Sequence, residues 1–208
     1  MDPIVEERCT PRSDDVLGSG FFSRPCAEVA LALLGRWVQH GDVVLEITET
    51  EAYLGPHDTA CHTAKGRTAR NAAMWGPVGR AYVYRCYGLH WMLNVVSGTE
   101  GGGAAVLIRS AAPVRGEAVW LPRRSGRRDL AGPGKVAAAL GVERANDGDD
   151  LTDPAGLSLR WGRPATAWLH GPRVGVDYAA PADREALLRF AVADERRVSA
   201  RKTLSSPG

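Results

Sequence analysis

An α+β fold in one domain, with a mostly antiparallel curved sheet and helices around it, is what the chain predicts, and three features lead there. Short strand-like runs recur at hairpin spacing, helical stretches are few, and no linker-like segment divides the 208 residues. Hydrophobic residues make up 44% and charged residues 24%, so the chain can bury a core without disulfides or a metal.

Residues 1–20 are polar, Pro/Gly-bearing and aperiodic, which predicts a loose arm. Ser23-Arg24-Pro25 then sets a capping residue ahead of a proline, apolar residues fill most of 27–34, and Gly35 ends the helix. Residues 37–40 and 43–53 flank Gly41-Asp42 as a hairpin, and a loop follows at Leu54-Gly55-Pro56. Strands are expected at 81–86, 90–96 and 104–109, the last after the Gly101-Gly102-Gly103 turn. Residues 115–121 and 134–140 read as helices joined by a basic loop, and 146–153 as an acidic loop. Short strands are expected at 157–161, 174–177 and 188–192. The folded domain is thus placed at 21–200, with 201–208 as a frayed tail.

No apolar run approaches the length of a membrane span, and Met1-Asp2-Pro3 lacks the basic start of a secretory signal. A cytoplasmic protein with reduced Cys9, Cys26, Cys61 and Cys86 is the expectation. Cys86 and His90 are four apart, but no paired ligand spacing accompanies them, so no metal is expected. No nicotinamide or flavin signature is present, so no cofactor is expected either.

The net charge of +2 singles out no partner, but its distribution is informative. From residue 59 to 99 there is no acidic residue, while Lys65, Arg67, Arg70, Arg80 and Arg85 alternate with Trp75, Tyr82, Tyr84, Tyr87 and Trp91. Cations for phosphates beside flat rings for bases make a nucleic-acid groove. Arg109 to Lys135 is a second basic stretch, and Arg196, Arg197, Arg201 and Lys202 a third. The plain alternative is a set of solvated faces in an arginine-rich chain.

In 43–53 the odd positions are Val43, Leu45, Ile47, Glu49, Glu51 and Tyr53, so strict alternation carries an apolar face into two carboxylates. A core-facing carboxylate costs free energy unless it is paired. Either the strand leaves the core before Glu49, or the carboxylates form an ion pair, or they do chemistry. Two carboxylates on one face also suit a glycosidase or nucleosidase acting through Glu49 and Glu51.

Several separated motifs together resemble the alkyladenine (3-methyladenine) DNA glycosylase family. They are Glu49-Thr50-Glu51-Ala52-Tyr53-Leu54-Gly55-Pro56 with Asp58 and His62, Arg70-Asn71, Met74, Tyr82-Val83-Tyr84, Tyr87-Gly88, Asn94, residues 106–109, Gly132-Pro133-Gly134-Lys135 and Arg173-Val174-Gly175-Val176. They run in the family's order across about residues 20–200. The resemblance implies a monofunctional enzyme that flips a damaged purine from duplex DNA and hydrolyses its glycosidic bond, and a monomer is the simplest expectation for a protein that tracks asymmetric damage. It assigns Glu51 as the base that activates water, with Arg109 and the Val174 carbonyl holding that water. Tyr53, His62, Tyr84 and Asn94 would form the base pocket, Asn94 rejecting guanine, and Tyr87 would fill the gap in the stack. Arg70, Arg85 and Lys135 would touch the DNA backbone. Arg85-Cys86 and Arg196-Arg197 stand where the family pattern is more apolar. A protein that binds lesions without cutting is the remaining alternative.

Overall fold

The computed structural model describes residues 15–207, so the predicted arm lies outside the described residues as far as position 14. Its last part is docked: Leu17 is fully buried, with its N–H on Leu159 O at 2.8 Å. A short helix α1 (Ser19–Phe22) precedes α2 (Cys26–Ala32), whose buried face carries Val29 and Ala30. Gly35 then turns the chain with φ +78°, where a Cβ would lie 2.0 Å from Arg163 O.

Eight strands form one curled sheet in which every pairing is antiparallel. They are β1 (Trp37–His40), β2 (Val43–Tyr53), β3 (Ala81–Cys86), β4 (His90–Ser97), β5 (Ala104–Arg115), β6 (Ser158–Arg160), β7 (Trp168–Gly171) and β8 (Arg189–Val192). The order is β3-β4-β5-β2-β1-β6, and β7-β8 joins beside β2. One edge of β2 therefore serves two partners, β1 along 43–46 and β8 along 49–51.

β5 runs to Arg115, beyond the predicted 109, and β7 had no counterpart in the sequence reading. Residues 174–177 form a bend rather than the predicted strand, because Gly175 takes φ +78°. The predicted tail is also docked. Residues Arg201–Thr203 make a 3-10 turn, and Ser205 exchanges two backbone hydrogen bonds with His170, each 2.9 Å.

Helices α3 (Glu117–Arg123) and α4 (Pro133–Leu140) join α2 on one face of the sheet, and α5 (Pro181–Glu185) lies between β7 and β8 in sequence. Pro133 opens α4, and Gly141 closes it with φ +70° while Val142 N–H bonds Ala137 O at 2.9 Å. Strand alternation sorts the two faces. Ala81 and Val83, Leu93 and Val95, and Val106 and Ile108 enter the helix-covered core, whereas Tyr82, Tyr84, Met92, Asn94, Leu107 and Arg109 line the other side.

Candidate active site

β2 does not alternate strictly. The core takes Val43, Leu45 and Ile47, then Ala52, while Thr50 donates to Ala30 O of α2 at 2.8 Å. Register shifts on both sides of Glu49 change the phase: Ile47 pairs with Ala111, Glu49 with Ser110 and Thr50 with Ile108. The bulges leave Arg109 as the extra residue of β5 and turn Glu49, Glu51 and Tyr53 away from the helix-packed core. The single apolar-to-acidic face that alternation predicts is thereby corrected to two faces.

Both carboxylates are fully buried, yet they differ in company. Glu49 accepts from Arg189 Nη1 at 3.0 Å, Ser199 N–H at 2.7 Å, Ser199 Oγ at 2.9 Å and Ser110 Oγ, with Arg109 Nε at 3.4 Å. Every oxygen lone pair it could offer to a substrate is engaged by the protein. Glu51 Oε1 accepts from Val174 N–H at 2.8 Å, and Oε2 from Tyr53 Oη at 2.9 Å and Arg109 Nη1 at 3.3 Å. Burial pushes the Glu51 carboxyl above its usual value, and Arg109 and the two hydrogen bonds oppose that rise. The contact seen at Val174 is thus its N–H on Glu51.

All three groups that hold Glu51 line a cavity of about 1060 Å³. Its wall contains Lys65, Arg70, Arg85 and Arg109 and no carboxylate. Tyr82 and Tyr84 stack with ring centres 5.4 Å apart, and His62 meets Tyr84 edge-on at 4.5 Å. His62 Nδ1 lies 2.8 Å from Tyr82 Oη, and burial beside Arg70 shifts the imidazole toward its neutral form. Asn94 Nδ2 donates to Tyr82 O at 3.0 Å, leaving its carbonyl end for the cavity.

Tyr53, His62, Tyr84, Asn94, Arg109 and Val174 are therefore gathered in one place, with Glu51 directly behind the wall. Tyr87 stands at the rim, 91% exposed, in the turn closed by Leu89 N–H on Cys86 O at 2.9 Å. It holds φ +48°, a left-handed conformation that an aromatic residue rarely takes. Arg70 lies over Tyr84 at 5.4 Å and Arg85 over Trp91 at 5.6 Å, both at the cavity mouth. Lys135 is drawn into an ion pair with Asp129 instead of standing free at the surface.

The sequence reading assigned no role to several residues that build the site. Asn71 pins the loop carrying His62, donating to His62 O at 2.9 Å and Gly66 O at 3.0 Å and accepting from Thr68 N–H at 2.7 Å. Arg173 forms a buried two-point pair with Asp58 and lies 4.9 Å from the Tyr53 ring centre. Asn71, Asp58 and Arg173 sit inside the motifs quoted above, which was their signal. Arg189 and Ser199 had none, since they reach Glu49 across 140 and 150 residues. Among the described residues no cluster of His, Cys, Asp and Glu is placed to hold a metal, and no helix is long and apolar enough to cross a membrane.

Comparison with known proteins supplies a family. The profile described as methylpurine-DNA glycosylase matches residues 20–196. A Nitrosococcus oceani protein with the provisional name 3-methyladenine DNA glycosylase is 48% identical over 91% of this chain and 96% of its own. The DNA-3-methyladenine glycosylase of Arabidopsis thaliana is 48% identical over 90% of this chain and 75% of its own length. A provisionally named Myxococcus xanthus relative is 46% identical over 88% of this chain and 93% of its own.

Proposed function

The chain belongs to the methylpurine-DNA glycosylase family, and from that premise we propose that it flips an alkylated or deaminated purine out of duplex DNA and hydrolyses its N-glycosidic bond with water activated by Glu51. The observation that carries this reading is the fully buried Glu51 carboxylate, held by three donors directly behind an aromatic cavity whose wall is cationic and bears no acid. It is a DNA-repair enzyme that starts base excision, and the finer steps follow from the residues.

With the base in the cavity, the bond from C1′ to the purine nitrogen breaks and its electron pair leaves with the base. Water adds to C1′ and gives a proton to Glu51, which also stabilises the positive charge that develops on the sugar. The Arg109 guanidinium favours the ionised carboxylate against its burial. Glu49, tied to Arg189 and Ser199, serves to orient Arg109 rather than to act as a second carboxylate in the chemistry.

Tyr53, Tyr84 and His62 offer ring faces that suit a cationic alkylated purine, which leaves as a neutral base without needing a proton. Asn94 meets the edge where guanine carries its amino group. Tyr87 fills the space that flipping leaves in the stack, and Arg70 and Arg85 hold phosphates at the mouth. Lys135 contributes less, because Asp129 already neutralises it.

Duplexes carrying an alkylated adenine, ethenoadenine or hypoxanthine test the proposal. Strand breaks should appear at the lesion only after alkali opens the abasic site. Tight, lesion-selective binding with no base release would instead make the protein a binder of damage.

A further inference from the structure

We propose that Ser199, from the C-terminal segment, is a positioning residue of the active site: its hydroxyl holds one guanidinium, Arg109, between two buried carboxylates and so keeps it on Glu51. The inference deepens the proposed reaction and rests on it.

Arg109 is drawn two ways. Glu49 Oε1 lies 3.4 Å from its Nε and Glu51 Oε2 lies 3.3 Å from its Nη1, and both carboxylates are fully buried. Neither is a short charge-assisted bond, which runs at about 2.7–2.9 Å. The short contact is to a neutral group, for Nε donates to Ser199 Oγ at 2.8 Å. The same hydroxyl donates to Glu49 Oε1 at 2.9 Å, which commits its proton to Glu49 and turns a lone pair to Arg109. The one hydrogen on Nε is thereby spent on Ser199 and not on Glu49.

The serine is itself well fixed. Its N–H donates to Glu49 Oε2 at 2.7 Å, and its carbonyl accepts from Arg189 Nη1 at 2.9 Å. Arg189 is fully buried, pairs with Glu49 at 3.0 Å and also holds the Thr203 hydroxyl further along the segment. The charge of Glu49 is thus met by Arg189, which leaves Arg109 for Glu51. With the Ser199 hydroxyl removed, the Nε hydrogen becomes a buried donor facing Glu49, and the guanidinium closes on that carboxylate. Nη1 then leaves Glu51, whose other donors are Val174 N–H and Tyr53 Oη.

The proton affinity of Glu51 reports that loss. Charged or titratable groups facing it are Arg109 from β5, Glu49 and Tyr53 from its own strand, Tyr84 from β3, Arg189 from β8 behind Glu49, and Arg173 from the turn after β7. Ser199 bonds Glu49, Arg189 and Arg109, and of these three Arg109 alone bonds Glu51. A cation beside a carboxylate lowers its pKa, so withdrawing it raises the pKa, and the acid limb of activity, which needs ionised Glu51, moves to higher pH.

Wild type, Ser199→Ala, Ser199→Thr and Thr203→Ala are compared in single turnovers at saturating enzyme, beside their melting curves and their DNA affinities. The duplex carries 7-methylguanine and the range is pH 4.5 to 7, where that base is cationic and leaves without a proton. Ser199→Ala should move the acid limb up by about one pH unit, which below the limb is about tenfold slower release, with DNA affinity unchanged. Ser199→Thr keeps the hydroxyl and should restore the wild-type limb. Thr203→Ala loosens the same segment without touching Arg109, and its limb should stay in place. An unmoved limb in Ser199→Ala, an equal shift in Thr203→Ala, or a folded Ser199→Thr that behaves like the alanine variant would show that the serine only fastens the segment, and the positioning role would be wrong. Glu51→Gln is run alongside. Release at the wild-type rate by that variant, or none by wild type, overturns the underlying reaction, whereas loss of release in Glu51→Gln with an unmoved limb in Ser199→Ala overturns the positioning role alone.

Discussion

At the scale of single residues, neighbouring carboxylates of one strand have been given opposite characters by their surroundings. Glu49 is locked by Arg189, Arg109, Ser110 and Ser199, whereas Glu51 accepts from three donors only, Val174, Tyr53 and Arg109. Burial raises the Glu51 pKa above the carboxylate value of 4.5, so the folded protein holds that proton more tightly than the unfolded chain does. Its contribution to stability is then greatest below the unfolded pKa and declines as pH rises through the folded one. Glu51→Gln should remove that decline. Melting temperatures of the variant and wild type, measured from pH 4 to 8, should diverge in favour of the variant as pH rises, with each 1 kcal/mol read as about 2–4 °C. A constant difference across the range would mean that Glu51 titrates as it does in water. The residues that face the cavity were legible because each stands in a compact motif of its own. The Glu49 clamp was not, because Arg189 and Ser199 carry no pattern of their own and meet Glu49 only through the sheet and the C-terminal segment.

At the scale of elements, the β1–β2 hairpin, β3 and α4 follow from alternation and from Gly and Pro at their ends, and these were legible. What period-two reading cannot register is the pair of bulges around Glu49, because an extra residue leaves no mark in the apolar pattern until both partner strands are known. The same limit hid the bend at 174–177, where Gly175 interrupts an otherwise strand-like run. The β3–β4 turn supplies a prediction of its own. Tyr87 holds a left-handed conformation that asparagine takes with less strain, so Tyr87→Asn should stabilise the fold by about 0.5–1 kcal/mol. The same change should slow excision from duplex DNA by about tenfold or more, since the exposed ring is lost from the rim, and slow it less on a lesion in single-stranded DNA. Urea unfolding and single-turnover kinetics read the two effects. Stability gained with duplex activity intact would remove Tyr87 from the DNA interface.

For the whole molecule, charge is arranged rather than abundant. A net charge of +2 coexists with a cavity mouth bearing Lys65, Arg70 and Arg85 and no acid in its wall. Log affinity for duplex DNA should fall linearly with log salt, and Arg70→Ala and Arg85→Ala should each lower the slope by about one. Lys135→Ala should change it less, because Asp129 holds that ammonium in the free protein. Fluorescence anisotropy from 50 to 300 mM salt provides the slopes, and equal losses for all three variants would show that the Asp129 pair dissolves on DNA. The sequence showed the basic stretch but not this partition, because Asp129 and Lys135 meet across the turn that enters α4. Within the described residues, the arm and the tail were drawn too far inward for a related reason. Leu17 and Ser205 are held by backbone pairing to Leu159 and His170, and nothing in a short polar terminus announces such partners.

On the proposed mechanism, Glu51 alone of the two buried carboxylates activates water. Base release from a lesion-bearing duplex, measured in single turnovers for wild type, Glu51→Gln and Glu49→Gln beside their melting curves, tests it most directly. Glu51→Gln should remain folded and lose at least about 10²–10⁴-fold in rate. Glu49→Gln leaves two arginines short of a counter-charge, so it should lose about 3 kcal/mol of stability while its folded fraction still releases base. Wild-type release by Glu51→Gln, with activity abolished only in a folded Glu49→Gln, would assign water activation to Glu49 instead.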